Sequence, residues 1–413
     1  MNSATPALLA LLLVFSLVAI PVAAGPEDEA RDSEQPTLRE HTLEQATLQE
    51  RTMTNDAAAN ETTNRLSLEG STRTEYAEYG ADLGTLLAST DDTLRVDYDQ
   101  YRILDREFET ASADERETMV REAYERIEER TGELEERERT AVSAHAEGEL
   151  STAELLQEVL RNHHEAGVLS AALGHIEDRA DRISGYDIDV QDDQNELEMH
   201  RTPVRTHLEQ AARSETSESI VAVETTETGY AISYIDGGDY VREATRFDNR
   251  DTDRETQFDD ITDAYDHAGE LYPWVFENGR SPTANEHTTV QLYQIQATHD
   301  QGRLEAYLDG GTGEVHREVQ VLSRANLPTA SETVWTADGQ RLSLNETPKN
   351  GPVEVTLTDS ETGEPVSGRV TVDGFELGAT DEDGSIWFVP PAKPYELTVT
   401  TDATTIEATV TNR

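Results

Sequence analysis

Charge is the feature that most constrains this chain: 85 acidic residues stand against 33 basic ones, a formal net charge of −52 over 413 residues. Self-repulsion destabilises a compact state of this charge unless salt screens it, and at about 1 M salt the Debye length is about 3 Å. The alternative is an acidic chain that stays disordered. Lys349 and Lys393 are the only lysines, and arginine pairs with carboxylates through two parallel hydrogen bonds. We therefore predict a folded protein adapted to high salt.

Several functional classes are excluded by composition and motifs. The sequence has no cysteine, which excludes disulfides, thiolate metal sites and a cysteine nucleophile. An acidic surface repels phosphate, so we predict no nucleic-acid partner. The sequence contains no Gly-x-Ser-x-Gly, Walker or Ser-x-x-Lys motif. We predict that the protein is not an enzyme, and we assign no catalytic, cofactor-binding or metal-binding residue and no cofactor.

The first 24 residues have the pattern of a secretory signal peptide. An apolar run from Ala7 to Ile20 ends at Pro21, and the small residues Val22-Ala23-Ala24 follow it. We expect export by the general secretory route to the cell surface or the medium. The alternative is an uncleaved anchor, in which case the protein also contacts the membrane. Two Asn-x-Thr sequons predict glycosylation at Asn60 and Asn345.

Helical patterning follows a polar stretch. Residues 25–72 lack a core pattern and are predicted to be a disordered tether. Residues 73–184 are predicted to form a helical coiled-coil region, with an earlier helix or pair of helices around Tyr76–Leu87 and Leu94–Phe108. Capping boxes at Ser112 and Ser151 and a break at Gly148 predict two long antiparallel helices. Their heptad seam is interrupted by two polar residues, Thr131 and Glu138.

The second half of the sequence predicts strands. Residues 185–218 form an acidic linker with a short helix, residues 219–322 an α+β module, and residues 323–350 a further linker. Tyr234-Ile235-Asp236-Gly237-Gly238, followed by Arg242-Glu243, is echoed by Tyr307-Leu308-Asp309-Gly310-Gly311, followed by Arg317-Glu318. Both Gly pairs suit a hairpin turn. This echo indicates either a duplicated strand–turn–strand unit or two similar hairpins.

Strict alternation, as in Val353-x-Val355-x-Leu357, predicts a β-sandwich over residues 351–413. Its segments Gly363-Glu364-Pro365-Val366-Ser367-Gly368 and Ala379-Thr380-Asp381 resemble a carboxypeptidase regulatory-like, transthyretin-like domain, which implies a non-catalytic sandwich on an exported protein. The hairpin from Tyr307 to Val315 resembles that of PepSY domains, some of which act on peptidases. The whole arrangement, including Thr74 to Tyr101, resembles exported haloarchaeal proteins of unknown function.

Three further patterns could mark a site. Residues from Asp187 to Glu198 follow EF-hand spacing, but Asp192 occupies the glycine position, so a solvated loop is the competing interpretation. His163-His164-Glu165 lacks the i, i+4 histidine spacing of zinc peptidases. The aromatic cluster Tyr272–Phe276 fits a core, with a peptide- or glycan-binding patch as the alternative.

The fold class that we expect is α+β multidomain: an N-terminal helical bundle or coiled-coil hairpin, a central α+β module and a C-terminal Ig-like or transthyretin-like sandwich. We expect an exported halophilic structural or interaction protein at the cell surface. Its expected partners are envelope proteins or surface polymers, with self-association through the helices. The alternatives are a regulator or inhibitor of an exported peptidase, acting through the PepSY-like hairpin, and a metal-dependent hydrolase.

Overall fold

Helices dominate the first half of the described chain and strands the second. The structure is a computed structural model that describes residues 49–287 and 290–411. The helices are α1 Leu83–Gln100, α2 Arg106–Phe108, α3 Ala113–Glu147, α4 Thr152–Ala180, α5 Gln191–Glu198, α6 Pro203–Ala212, α7 Ile261–Leu271 and α8 Pro273–Asn278. The strands are β1 Gln49–Thr54, β2 Arg73–Tyr79, β3 Ser219–Thr226, β4 Gly229–Asp236, β5 Asp239–Arg246, β6 Gly279–His287, β7 Leu292–His299, β8 Gly302–Asp309, β9 Val315–Ser323, β10 Ser331–Ala337, β11 Gln340–Glu346, β12 Val353–Asp359, β13 Arg369–Val372, β14 Phe375–Ala379, β15 Ser385–Phe388, β16 Tyr395–Thr400 and β17 Thr405–Val410.

The long helices α3 and α4 form an antiparallel hairpin, as their capping signals predict. Capping boxes open both helices, at Ser112 and at Ser151. Gly148 ends α3 with a positive φ of 82°, a conformation that glycine adopts without a steric cost. Helix α1 packs beside α4, and a π-helical turn at Tyr101–Asp105 connects α1 to α2.

An eight-stranded antiparallel sheet lies at the centre, in the order β2-β3-β4-β5-β9-β8-β7-β6. The echoed segments form the hairpins β4–β5 and β8–β9, which meet at the middle of the sheet, where β5 pairs with β9. The Arg-Glu pairs of the two segments lie on the adjacent strands β5 and β9, where Arg242 is opposite Gln320 and Glu318 is opposite Ala244.

Different elements cover the two faces of this sheet. On one face, α3, α4 and α6 pack on β3 and β4 through a core that includes Val142, Leu156, Leu208, Val223 and Ile232. On the other face, α7 and α8 cover β7 and β8. The C-terminal sandwich covers the β2–β3 end of that second face, where Tyr76 stacks on Phe375 with ring centroids 5.4 Å apart.

The C-terminal sandwich consists of a five-stranded sheet, β1-β10-β11-β12-β15, and a four-stranded sheet, β14-β13-β16-β17. Alternate side chains of both sheets, such as Val355, Leu357 and Leu397, are fully buried between them. This alternation confirms the predicted β-sandwich.

Several predicted boundaries are wrong. Within residues 25–72, β1 pairs with β10, so the predicted tether contains an edge strand of the sandwich. Residues 73–79 are a strand and not a helix, because they pair with β3 at the edge of the central sheet. The predicted linker at residues 323–350 contains β10 and β11, so the sandwich begins near residue 331.

The signal peptide at residues 1–24 and residues 25–48 of the predicted tether lie outside the described residues. Within residues 49–287 and 290–411, no helix combines the length and the apolar character needed to cross a membrane.

Candidate functional site

A buried ion network joins the helical hairpin to the central sheet. The Glu138 carboxylate of α3 accepts hydrogen bonds from Arg205 Nη2 and Arg317 Nη2, each at 2.8 Å. Arg205 Nη2 also donates to Glu243 Oε1 at 2.8 Å, and the hydroxyl of Tyr230 lies 2.8 Å and 2.7 Å from the two carboxylates. These five side chains come from α3, α6, β4, β5 and β9, and all are buried. Two carboxylates balance two guanidinium groups, so the cluster carries no net charge.

Electrostatics keep the two carboxylates of this network ionised. Burial alone would raise the pKa of Glu138, but Arg205 and Arg317 outweigh burial and hold this pKa well below its usual range. The pKa of Glu243 is lowered against burial by the same two arginines. Removal of one of the four charged members would leave an unbalanced buried charge, which typically costs about 3–5 kcal/mol. The network therefore fixes α3 and α6 on the sheet.

A second buried pair lies on the opposite face of the sheet. Arg242 Nη1 is 3.2 Å from Glu318 Oε1, and the Tyr272 hydroxyl donates to Glu318 Oε2 at 2.7 Å. The echoed dipeptides Arg242-Glu243 and Arg317-Glu318 thus place one Arg and one Glu on each face, because successive side chains of a strand alternate. Glu138, Arg205 and Tyr230 complete the first face, while Tyr272 completes the second.

A polar groove of about 780 Å³ lies between α1, α4 and α6. The Glu209 carboxylate lies 3.2 Å from His163 Nε2 and 3.9 Å from His164 Nδ1, and these two histidines, His163 first, lower the pKa of Glu209. His175 Nε2 contacts Asp105 Oδ1 at 2.9 Å. Gln100 also lines the groove; it is 6% exposed, and neither amide atom has a hydrogen-bond partner within the described chain. The groove offers hydrogen-bonding groups but no arrangement of nucleophile and base.

Helix α1 turns its apolar side outward. The residues of its buried side, which faces the body of the protein, are Thr85, Ser89, Asp92, Val96 and Gln100. The residues of its outer apolar side and the following π turn are Leu83, Leu87, Leu94, Tyr98 and Tyr101, and they are 56–70% exposed. In the described part of the chain, Met53 is the only other exposed large apolar side chain. We call these five residues the α1 outer face.

The α1 outer face is held in position from behind by polar contacts. Asp82 caps α1 by accepting a hydrogen bond from the Thr85 backbone amide at 3.1 Å. The guanidinium of Arg161, on α4, binds the Asp92 carboxylate through contacts of 2.6 Å and 3.0 Å. The polar inward side and the apolar outward side reverse the usual pattern of a surface helix. The sequence did not predict this arrangement, because helical periodicity alone does not show which side of a helix faces the body of the protein.

The sequence patterns that suggested metal sites have other roles. Residues 191–198 of the EF-hand-like stretch are helix α5, so the calcium-loop interpretation is wrong: Asp193, Asn195 and Glu198 lie on a helix and not in a coordinating loop. Glu165 binds Arg130 and Arg137 rather than a site shared with the adjacent histidines. Among the described residues, no group of three or more His, Asp or Glu residues is arranged to hold a metal ion.

The predicted glycosylation sites differ in exposure. Asn60 is exposed, but the hydroxyl of Thr62 in its sequon is buried and donates to Gln301 at 2.7 Å. Asn345 is half-buried and donates to Glu354 at 3.1 Å. Modification of either residue stays a prediction. In the aromatic cluster, Tyr272 and Val275 belong to the core beneath α7 and α8.

Comparison with protein families places these elements in three segments. Residues 1–217, more than half of the chain, match the model of the family described as Domain of unknown function (DUF7096). The chain belongs to the DUF7096 family. Its DUF7096 segment contains α1 with the outer face, the α3–α4 hairpin and the edge strands β1 and β2.

Two further families match the remainder. Residues 221–328 match a family of unknown function (DUF7094), and residues 331–408 match an archaeal fibronectin-III type-like domain. The sandwich match is therefore to that archaeal domain, and no match supports the carboxypeptidase regulatory-like resemblance. The DUF7096 segment donates β2 to the DUF7094 sheet and β1 to the fibronectin-like sandwich. No curated protein and no solved structure matches the chain.

Proposed function

We propose that this protein is an exported, non-catalytic interaction protein of the archaeal cell surface, which works in high salt and uses α1 as its contact helix. The α1 outer face is the observation that carries this proposal. The rest of the molecule acts as a rigid support: the buried ion network fixes the helices on the sheet, and donated strands tie the sheet to the sandwich.

The energetic argument concerns the placement of apolar side chains. Burial of one Leu side chain relative to water is worth about 1.5–3 kcal/mol. Without a partner, the protein would therefore be more stable if α1 were rotated about its axis so that its leucines packed against the body. Contiguous apolar patches on soluble proteins typically mark interaction sites. Repulsion between acidic surfaces opposes non-specific contact, and the apolar strip on α1 gives a partner one place where association is favourable.

The peptidase-regulator alternative depends on the hairpin of β8 and β9. There the buried Asp309 carboxylate accepts a hydrogen bond from the Thr312 backbone amide at 2.8 Å. This acidic residue stabilises its own turn, and that structural role accounts for the Asp and Thr of the PepSY-like motif. No specific observation favours this alternative or the metal-dependent hydrolase.

Cysteine labelling of intact cells tests the proposal, because the chain has no cysteine of its own. Two single-cysteine variants are needed: Thr90→Cys in the middle of the exposed side of α1, and Met53→Cys on β1 as a matched exposed control. Cells are treated in multimolar salt with a maleimide that cannot cross membranes. We expect Met53→Cys to react and Thr90→Cys to be protected, and both to react after denaturation.

Two outcomes would contradict the proposal. Labelling of Met53→Cys only after cell lysis would show that the protein is not on the surface. Equal labelling of both variants on intact cells would show that the α1 outer face is not covered by a partner.

A further inference from the structure

We infer that the polar groove between α1, α4 and α6 binds a small, neutral, polyhydroxylated compound, such as a sugar. This inference goes beyond the proposed function, because none of the five residues of the α1 outer face lines the groove. A buried amide without partners, the charges along the groove and the size of the groove carry the inference.

Gln100 is the buried amide of this groove. The residue is 6% exposed and lines the groove, and neither its amide oxygen nor its amide nitrogen has a hydrogen-bond partner within the described chain. Buried polar groups of folded proteins are rarely left unpaired. The terminal torsion of a glutamine side chain is broad, so the shielded amide can turn toward a compound in the groove. Gln100 is therefore suited to a ligand that completes its hydrogen bonds.

The pairing requirements of Gln100 select the class of ligand. An amide presents one acceptor and two donor hydrogens, whichever way round its two ends are placed. An inorganic anion supplies acceptors only, and a metal ion or an ammonium group cannot accept a hydrogen bond. A hydroxyl group both donates and accepts, so a compound with several hydroxyls can satisfy both ends of the amide.

Two further side chains of the groove can accept hydrogen bonds from hydroxyls. His175 Nε2 contacts the Asp105 carboxylate at 2.9 Å. Because a carboxylate only accepts, this nitrogen carries a proton, and Nδ1 of the neutral ring is left as an acceptor. The exposed Asp97 lies one turn before Gln100 on α1, lines the groove and forms no ion pair with another described residue. Both groups favour a ligand that brings donors.

The arginines beside the groove are already paired, which disfavours an anionic ligand. Arg213 Nη2 lies 2.6 Å from the Glu209 carboxylate, and Arg201 Nη1 lies 3.1 Å from the Glu198 carboxylate. A ligand carboxylate would have to displace one of these glutamates, and it would also be repelled by Asp97. A neutral compound meets neither obstacle.

The size of the groove fits a sugar. Its volume of about 780 Å³ lies within the range of about 300–1,000 Å³ that is typical of small-molecule sites. On the side of α4, the groove is lined by the small or apolar residues Gly167, Val168, Ala171 and Ala172. These residues leave room for a ring and can contact its C–H groups, while the polar groups described above bind its hydroxyls.

Saturation-transfer difference NMR of the full chain in about 3 M KCl tests the inference. The probes are glucose, mannose and N-acetylglucosamine, with glucuronate as the anionic counterpart. We expect at least one neutral probe to bind more tightly than glucuronate. Absence of binding by all three neutral probes, or tighter binding of glucuronate, would overturn the inference.

A pair of variants tests whether the groove is the binding site. Ala171→Phe places a ring in the groove and should weaken sugar binding by about tenfold or more. Ala153→Phe adds the same ring at an exposed position of α4 that does not line the groove, and should leave binding unchanged. Circular dichroism checks that both variants are folded. Equal sugar binding by the two folded variants would overturn the inference.

Gln100→Leu tests the role of the amide. The substitution removes both hydrogen-bonding atoms at similar volume, so it should weaken sugar binding by about tenfold. Without sugar, it should leave the melting temperature unchanged or raise it, because the amide has no partner to lose. A side chain with a purely structural polar role would show the opposite result. A lowered melting temperature, or unchanged sugar binding, would overturn the inference.

Methyl glycosides of the bound probe distinguish two sources of the sugar. A groove that binds one unit of a surface glycan should accept a methyl glycoside as well as the free sugar, whereas a site for free sugars should reject it, and either result supports the inference. Failure of all sugar binding would leave the contact role of α1 intact, because labelling of Thr90→Cys on cells tests that role separately.

Discussion

Glu138 shows what a single residue contributes to this fold. Its position in the heptad pattern correctly places it on the inward side of α3, where it interrupts an apolar seam. The sequence could not identify its partners, because Arg205 and Arg317 lie 67 and 179 residues away along the chain. Only the packing of α3 and α6 on β9 brings the three charges together, so the network was not predictable from local patterns.

We predict that Glu138→Gln lowers the free energy of unfolding by about 3 kcal/mol, because two buried guanidinium groups would then share one carboxylate. Glu136→Gln is the matched control: Glu136 is exposed on the same helix, and its replacement should change stability by less than about 0.5 kcal/mol. Denaturant unfolding in high salt measures both variants. Equal stabilities of the two variants would show that the network contributes little.

His145 gives the protein a sensitivity to acid. Its ring is fully buried between the hydroxyls of Thr225, at 2.7 Å, and Thr152, at 3.1 Å, and burial followed by the charge of Arg73 lowers its pKa to about 4. Between pH values of about 6.5 and 4, the unfolded chain binds a proton at this residue and the folded chain does not. Stability is therefore present above the unfolded pKa and is lost as the pH falls through this window.

We predict that His145→Gln reduces the dependence of unfolding free energy on pH within that window. The quantity to compare is the slope of unfolding free energy against pH. The hydrogen bonds lost in the variant lower its stability similarly at every pH and so do not change this slope. Unfolding series at fixed salt between pH 7 and pH 4 measure it. His316, which is buried and whose pKa burial also lowers to about 4, continues to contribute in the variant, so the slope should shrink without vanishing. An unchanged slope would contradict this account.

At the scale of elements, local signals placed helices well and edge strands poorly. The capping residues Ser112 and Ser151 and the break at Gly148 correctly predicted where the hairpin helices begin and where α3 ends. Strand β2 was mistaken for helix because its partner β3 lies about 140 residues later, and such a pairing leaves no local signal. Strand β1 was missed for the same reason, since it pairs with β10.

Two glycines, one at the end of α3 and one inside this helix, should respond in opposite ways to replacement by alanine. We predict that Gly148→Ala lowers the free energy of unfolding by about 1 kcal/mol, because φ is +82° at this position. Gly132 lies inside α3, where an added Cβ would meet nothing within 4 Å. Gly132→Ala should therefore raise stability by about 0.5–1 kcal/mol. Thermal unfolding of both variants under the same salt conditions measures the difference, and shifts of the same sign would contradict the prediction.

The whole molecule is more interlocked than its family segments suggest. The DUF7096 segment supplies an edge strand to each of the other two segments, and Tyr76 of β2 donates a hydrogen bond to the Val389 carbonyl of the sandwich at 2.6 Å. Composition and alternation predicted the three kinds of module but treated them as separate. The donation of these edge strands could not be predicted, because it depends on pairings between distant parts of the chain.

The excess of negative charge lies on the surface of the folded chain. The buried network around Glu138 is neutral, whereas the outer side of α3 exposes carboxylates such as Glu125, Glu128 and Glu129. The pKa of Glu128 is raised by partial burial and then by its neighbours Asp193 and Glu125, which is a direct sign of crowded negative charge. Salt should therefore act mainly on the surface and leave the buried pairs largely unaffected.

We predict that the free energy of unfolding falls as KCl is lowered from about 3 M to about 0.1 M at neutral pH, because the Debye length grows to about 10 Å and neighbouring carboxylates again repel one another. Sucrose at low salt is the control, since it favours compact states without screening charge and should restore stability only in part. Circular dichroism melting curves measure each condition. Equally cooperative melting at the same temperature in both salt concentrations would mean that the acidic surface is not an adaptation to salt, because the folded state would then tolerate its own repulsion unaided.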